Sequence, residues 1–347
     1  MRPRANPPAD PQGLSARRFV LAALQAIFFD ERPLSEALDG AFAKTTLEPR
    51  DAAFARAIVM TVLRRLGELD HVIAQFLRAP LPVRAGPAEL ILRIAAAELL
   101  FMDVPPHAAV SSAVALADRD ARARHFKGLV NAVARRVAGE GKTLLDPHAA
   151  ARLNTPAWAW DAWVATYGED TARAIACAHL DEPPLDITPK RDAAGWAQRL
   201  EAKVLPTGTL RRAPGGRIDD LPGYGEGGWW IQDAAAAIPA TLLGPLKGKT
   251  VIDLCAAPGG KTAHLAAMGA KVVAVDLAFE RMKRVMANLD RLGLIAEIVV
   301  ADALYWRPGA PAEAVLLDAP CTASGTVRRH PDVLWRKDHS DVLAQAD

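Results

Sequence analysis

The stretch Val251-Ile252-Asp253-Leu254-Cys255-Ala256-Ala257-Pro258-Gly259-Gly260-Lys261-Thr262 decides the fold. Val251, Ile252 and Leu254 read as an apolar strand. It runs into a turn where Pro258 fixes one φ, while Gly259 and Gly260 permit positive φ and close backbone approach. The residues from Thr262 to Met268 then read as a helix. A strand, a glycine turn and a helix N-terminus make a cradle of outward-facing N–H groups, and the helix dipole favours a carboxylate or phosphate there.

The segments downstream decide which ligand suits that cradle. Lys271-Val272-Val273-Ala274-Val275-Asp276 is a second apolar strand ending in an acid. Its distance from the turn, about 20 residues, is that of an acid gripping ribose hydroxyls. Glu297-Ile298-Val299-Val300-Ala301-Asp302 and Ala314-Val315-Leu316-Leu317-Asp318-Ala319-Pro320-Cys321 end the same way. One acid at a strand end is ordinary turn chemistry. Four strands with acids at or near their carboxyl ends mark the edge where an open α/β sheet binds its ligand. The turn is not G-x-G-x-x-G, which weakens a nicotinamide or flavin reading, and it lacks the spacing of a phosphate-binding P-loop.

Composition sets broad bounds. With 347 residues, 51% of them hydrophobic, the chain can form two or three domains with sizeable cores. A net charge of +2 is too small to argue nucleic-acid binding by itself. Cys177, Cys255 and Cys321 lie far apart without a C-x-x-C pair, so neither a disulfide framework nor a metal site is expected, and the expected compartment is the cytoplasm. The proline-rich residues 1–12 read as a disordered tail, and no apolar run is long enough to span a bilayer.

Residues from about Gly13 to Ala138 read as helices. Ser15 is expected to cap the first, with Phe19, Val20, Ala23, Leu24, Ile27 and Phe28 on its apolar face. A second runs from Arg50-Asp51 to Ile73, a third covers Leu90 to Leu99, and Phe126 to Val137 form a last amphipathic helix. Lys127, Asn131 and Arg135 recur at four-residue intervals on one face, either as a stripe for RNA phosphates or as an ordinary solvated face. His107 reads as a loop or capping residue. In the connector, Trp158, Trp160 and Trp163 read as packing residues more than as base-stacking ones, Cys177, in the apolar segment Ala174 to Ala178, as inert core, His179 as without a special role, and residues 222–228 as a flexible lead-in.

Asp253-Leu254-Cys255-Ala256-Ala257-Pro258-Gly259-Gly260-Lys261-Thr262 resembles motif I of the S-adenosylmethionine-dependent RNA cytosine-5 methyltransferases, in particular the bacterial Sun/Fmu family acting on 16S ribosomal RNA. Asp318-Ala319-Pro320-Cys321-Thr322-Ala323-Ser324-Gly325, followed by Arg328-Arg329-His330-Pro331-Asp332, resembles motif IV. The segment Trp229 to Asp233 is similar to the family's Gln-Asp lead into motif I. Ser15-Ala16-Arg17-Arg18, Leu99-Leu100-Phe101, Pro105-Pro106-His107 and Lys127-Gly128-Leu129-Val130-Asn131 are similar to the NusB-like RNA-binding domain of one branch of that family.

The resemblance implies a multidomain protein. It would have a disordered tail at 1–12, an all-α NusB-like bundle at 13–145, a small α+β connector at 146–228, and an α/β Rossmann-like methyltransferase domain at 229–347. It implies S-adenosylmethionine as cofactor, held by Cys255, Ala256, Ala257, Pro258, Gly259, Gly260 and Lys261, with Asp276 on the ribose, Asp302 near the adenine and Asp318 near the sulfonium and target base. It implies catalytic roles for Cys321 and Asp318, with Cys321 assigned to product release ahead of nucleophile, and RNA contacts from Lys127, Asn131, Arg135, Arg328 and Arg329. The expected partner is 16S ribosomal RNA, unassembled or in a small-subunit precursor, and the expected state is a monomer with no metal and no membrane. The family draws its nucleophile from a later Thr-Cys-Ser segment and has further strands. Neither is found here, so the chain is expected to be a fragment. The alternative is an inert RNA-binding assembly or antitermination factor, and an amino-methyltransferase is disfavoured because its loop would carry Asn-Pro-Pro-Tyr where Asp318 to Cys321 stand.

Overall fold

The computed structural model describes residues 13–345; the expected tail at 1–12 lies outside the described residues. In the amino-terminal half, apolar residues at three- and four-residue spacing give helices that each bury one face. They are α1 (Leu14–Phe28), α2 (Leu34–Phe42), α3 (Pro49–Arg64), α4 (Leu66–Ala74), α5 (Ala88–Phe101), α6 (Pro106–Arg119) and α7 (Lys127–Glu140), followed by α8 (Pro147–Leu153), α9 (Ala157–Tyr167) and α10 (Glu169–Leu180). Phe19, Leu24, Ile27, Ile58, Leu63, Leu69 and Ile91 belong to one continuous core. The helix α5 is apolar almost all round and is buried almost all round. Proline at the first turn of α3, α6 and α8 starts those helices where its missing N–H costs nothing.

Several local expectations are corrected. Helix α1 begins at Leu14 after Gly13, and Ser15 makes no cap. The segment expected as one helix from Arg50 to Ile73 breaks at Arg65, whose φ is −111° and ψ 16°, and in the helix that follows a Cβ on Gly67 would stand 1.8 Å from the Leu153 carbonyl oxygen. Cys177 is exposed: α10 buries Ala172 and Ala176, and the next residue points about 100° away. The tryptophans do pack. Trp158 Nε1 donates to the Leu334 carbonyl at 3.1 Å, and Trp163 meets His179 edge-on.

The second compact unit, residues Glu182–Cys321, holds two sheets. One is antiparallel, with β1 (Leu185–Pro189), β2 (Lys203–Val204), β3 (Leu210–Arg212) and β4 (Trp229–Ile231) in the order β2-β3-β1-β4, and α11 (Ala193–Arg199) on it. Asp186, fully buried in β1, accepts from Arg211 through both oxygens at 2.7 Å and from the Ala234 N–H at the start of α12 (Ala234–Leu242). The other sheet is parallel. Its strands are β5 (Thr250–Leu254), β6 (Lys271–Asp276), β7 (Ala296–Val300) and β8 (Ala314–Leu317), in the order β7-β6-β5-β8, linked by α13 (Gly260–Ala267) and α14 (Phe279–Leu292). Trp230 of β4 joins the core beneath α14, tying the two sheets together.

Residues 222–228 are not a slack lead-in. Arg291 of α14 donates to the Tyr224 and Trp229 carbonyls and lies over the Tyr224 ring, and Gly227 has φ +65° where a Cβ would strike the Arg291 carbonyl oxygen. Strand β4 pairs with β1, so Trp229 to Ile231 belong to the antiparallel sheet and not to the parallel one. The other compact unit contains residues 13–181 together with residues 322–345. The last of these, with α15 (Val333–Arg336) and α16 (His339–Ala344), therefore pack with the helices, and the two compact units divide at 181/182 and 321/322. The apolar cluster of Ala159, Val327, Val333 and Leu334 accounts for that residence.

One charged pair lies inside the helical core. Arg17 of α1 meets Glu98 of α5 at 2.8 Å, and both are almost fully buried. Burial pushes the Glu98 carboxyl up, with Arg17 opposing. Arg17→Met should cost about 3–5 kcal/mol, read by urea denaturation followed by circular dichroism, because it strands a buried carboxylate. A folded-state pKa raised above the unfolded one gives stability at low pH that is lost as pH rises, so the deficit should shrink in acid. Replacing both residues with Met should recover most of the loss; no recovery would show that the pair itself is indispensable.

Candidate active site

Strand β5 must leave the sheet without orphaning its amides. Cys255 turns the chain with φ +60°. The Ala256 N–H then donates to the Val275 carbonyl (3.0 Å), the Ala257 N–H to the Asp276 carboxylate (3.1 Å), and the Gly259 N–H back to the Ala256 carbonyl (2.8 Å). Gly259 has φ +99°, and a Cβ there would stand 3.0 Å from Val285 of α14, so glycine answers both demands. The Ala257–Pro258 peptide is cis.

The four acids follow the strand order. In sequence from one side of the sheet they are Asp302 beyond β7, Asp276 ending β6, Asp253 within β5 and Asp318 just beyond β8. The order places β6 and β7 on one side of β5 and β8 on the other, and ligands bind such sheets at that reversal. There Lys261, in the first turn of α13, meets Asp318 at 2.6 Å. Asp276 is buried and accepts from the Ala257 and Ala278 N–H groups, while Arg281 lies 3.8 Å from it and donates to the Ala257 carbonyl. Asp302 is half-buried, and its carboxylate accepts from the Leu304 N–H. Cys321 is exposed on the loop that follows Asp318. Burial first, then the nearby Asp276, pushes the Cys255 thiol up, which disfavours a thiolate there.

Asp253 was not among the expected site residues. It is 1% exposed and accepts from the Thr262 hydroxyl at 2.6 Å, while its other oxygen has no hydrogen-bond partner. Burial pushes it up to about 6, opposed by the Thr262 hydrogen bond and Lys261 and assisted by Asp318 and Asp276. The sequence signal was present, since a strand–turn–helix return brings an acid and a hydroxyl nine positions apart back together. Arg281 was also missed, its partner Asp276 being on another element.

The expected RNA residues all lie in the helical unit. Lys127 is ion-paired with Asp118 at 2.6 Å. Arg135 donates to Asn131, and both line a groove of about 580 Å³ with His107, Ser111, Val110 and Val114 between α6 and α7. Arg328 and Arg329 are half-buried, and the Arg328 carbonyl accepts from Arg64 at 3.0 Å. Among the described residues no three His, Cys, Asp or Glu side chains stand together to hold a metal ion, and no helix is long and apolar enough to cross a membrane.

An open parallel sheet with a glycine cradle and acids along its carboxyl edge, preceded by a helical bundle, is a Rossmann-like α/β region joined to an all-α one. Residues 240–347 match the family model described as 16S rRNA methyltransferase RsmB/F, and residues 14–139 match that of the NusB family. A Vibrio cholerae protein named ribosomal RNA small subunit methyltransferase B is 32% identical over 96% of this chain and 80% of its own length. A Pseudomonas putida protein of the same name is 34% identical over 96% and 80%. The solved structure titled "Crystal Structure of PH0851" matches with a TM-score of 0.71 at 24% identity over 95% of this chain and 80% of that one, a likeness of fold. The chain belongs to the ribosomal RNA small subunit methyltransferase B family, and so to the RNA methyltransferases.

Because the Asp253 pKa is raised above its ordinary 3.8, its contribution to stability is present below that value and lost as pH rises through about 6. Asp253→Asn keeps an acceptor for Thr262 but cannot ionise. Its stability relative to the natural protein should rise by up to about 3 kcal/mol between about pH 4 and pH 7, measured from urea midpoints. A pH-independent difference would contradict this.

Proposed function

We propose that this protein transfers a methyl group from S-adenosylmethionine to C5 of a cytosine in 16S ribosomal RNA, through a covalent cysteine–C6 adduct. The observation that carries the reading is the meeting of the glycine cradle, the acids and the loop bearing Cys321 at the carboxyl ends of one parallel sheet. The cradle fits an adenosyl amino acid. Its glycine leaves no room for a side chain, Asp276 keeps lone pairs for ribose hydroxyls after serving two N–H groups, and buried Asp253 has an acceptor oxygen to spare. Residues 255–261 would hold the methionine part, Asp276 the ribose and Asp302 the adenine. When bound, S-adenosylmethionine supplies an electrophilic methyl carbon.

Cytosine C5 is a poor nucleophile until a thiolate adds to C6 and turns the C5–C6 pair into an enamine. C5 would then take the methyl carbon as its bond to the sulfonium sulfur breaks and a neutral thioether leaves; a base would take the C5 proton, and the restored C5–C6 double bond would expel the thiolate. Asp318, which meets Lys261 at 2.6 Å, is assigned to stabilise the adduct at the base nitrogen. Cys321, close behind Asp318 and exposed, assists the expulsion. A second reading makes Cys321 the nucleophile, and the same exposure favours it. RNA docking is assigned to the face with Lys127, Asn131 and Arg135 beside the α6–α7 groove.

Methyl transfer to 16S RNA, followed by digestion and mass analysis of the nucleosides, tests the reaction. 5-Methylcytidine is expected; another modified nucleoside rejects C5, and no transfer supports an inert binding factor. Asp276→Asn should weaken S-adenosylmethionine binding roughly tenfold or more by calorimetry, with an unaltered affinity removing the ribose assignment. In a protein that also carries the family's Thr-Cys-Ser segment, Cys321→Ala should accumulate a covalent RNA adduct visible on a denaturing gel. Loss of activity without an adduct would make Cys321 the nucleophile.

A further inference from the structure

The first turn of α13 is one wall of the cradle. The first N–H groups of a helix have no acceptor within it, and here the intrahelical bonds begin with the Ala263 N–H on the Gly259 carbonyl at 2.9 Å. The N–H groups of Gly260, Lys261 and Thr262 are those that this helix end offers a ligand. Two side chains fix where the turn stands. From β5, Asp253 accepts from the Thr262 hydroxyl at 2.6 Å. The other is Gln232, which directly follows β4 of the antiparallel sheet and is 6% exposed. A Cβ on Gly260 would stand 3.8 Å from both Cγ and Nε2 of Gln232, so the carboxamide is the surface that the first residue of α13 faces. Trp230 of β4 reaches the same helix one turn on, edge to the His264 ring at 5.9 Å.

The Gln232 carboxamide has one pose open to it. Its oxygen accepts from Trp230 Nε1 at 3.0 Å and from the Thr188 hydroxyl of β1 at 3.1 Å, which uses both lone pairs. Its nitrogen donates to the Ala236 carbonyl in the first turn of α12 at 3.2 Å. A flipped amide would set its NH2 against two donors and its oxygen against a carbonyl. An apolar side chain would fill the same space without being bound to one arrangement, whereas a buried and fully bonded amide is. We propose that Gln232 is a positioning residue for the cofactor: anchored to β1, β4 and α12, it holds the first turn of α13 where the Gly260, Lys261 and Thr262 N–H groups receive the carboxylate of S-adenosylmethionine. The antiparallel sheet then serves cofactor binding, although its strands supply none of the acids along the cradle. The affinity and turnover arms of the test rest on the methyltransferase reading above; the exchange arm does not.

The test uses the full chain with Gln232→Met, which keeps the volume and loses every bond of the carboxamide, and the milder Thr188→Val, which removes one of those bonds. Amide hydrogen exchange of peptides covering 257–264 should quicken about tenfold or more in Gln232→Met, while that of β7 is unchanged. The calorimetric Kd for S-adenosylmethionine should rise about tenfold or more. In turnover, KM for S-adenosylmethionine should rise with KM for RNA unaltered. Thr188→Val should move the same quantities in the same direction by less. An unchanged Kd in a variant that keeps its circular dichroism overturns the proposal even where the urea midpoint has fallen, because a residue that only stabilises the fold would lower the midpoint alone. So does unchanged exchange over 257–264, or a loss confined to KM for RNA. If the natural protein binds no S-adenosylmethionine, the methyltransferase reading fails separately, and exchange alone decides whether Gln232 holds the turn.

Discussion

The turn after β5 has to carry a buried strand out of its sheet while every amide finds a partner. The neighbouring strand β6 solves this, since Val275 and Asp276 receive the Ala256 and Ala257 N–H groups. Because the partners lie on β6, the shape of the cradle depends on the register of the β5–β6 pair, in which Leu254 stands opposite Val275. A slip of one residue would move Asp276 away from the turn and reverse the faces of the strand. Fold and site are therefore one constraint.

Electrostatics at this edge are arranged by burial. Asp276 and Asp253 are both buried, yet they differ in support. Asp276 has two backbone donors and a nearby guanidinium, whereas Asp253 has one hydroxyl donor and is pushed up to about 6. Asp318, much more exposed, has Lys261 as its partner. Three carboxylates within one sheet edge thus have different partners, and burial raises the proton affinity of Asp253.

Much of this was legible in the sequence. The four strands announce themselves as short apolar runs ending in Asp, and the glycine turn between β5 and α13 fixes their class. The faces of α1 and α5 follow from helical spacing. What was not legible depends on partners distant in the chain. Nothing near Trp229 to Ile231 says that they pair with β1, since Pro189, Thr188 and Ile187 become their partners only once the antiparallel sheet exists. The need for glycine at position 67 answers to the Leu153 backbone. Cys177 looked apolar in its segment, but α10 is rich in alanine and its buried line is narrow. Residues 322–345 read as a continuation of the α/β domain because Asp332, Trp335 and Arg336 give no local sign that they finish helices formed from residues 31–64.

That discontinuity bears on how the molecule is made. The contact between Leu34 and Asp332 spans 298 positions of chain. During synthesis the amino-terminal helices emerge first, but α2 lacks its capping carboxylate and α3 its tryptophan donor until the whole α/β region has followed. Contacts of such sequence separation form late, after the entropy of the intervening chain has been reduced by its own folding. The helices must then wait in a less complete state, with Leu34 and Leu63 short of their final partners, while the parallel sheet assembles. Maturation of the first-made unit is thereby timed by the arrival of the loop that carries Cys321.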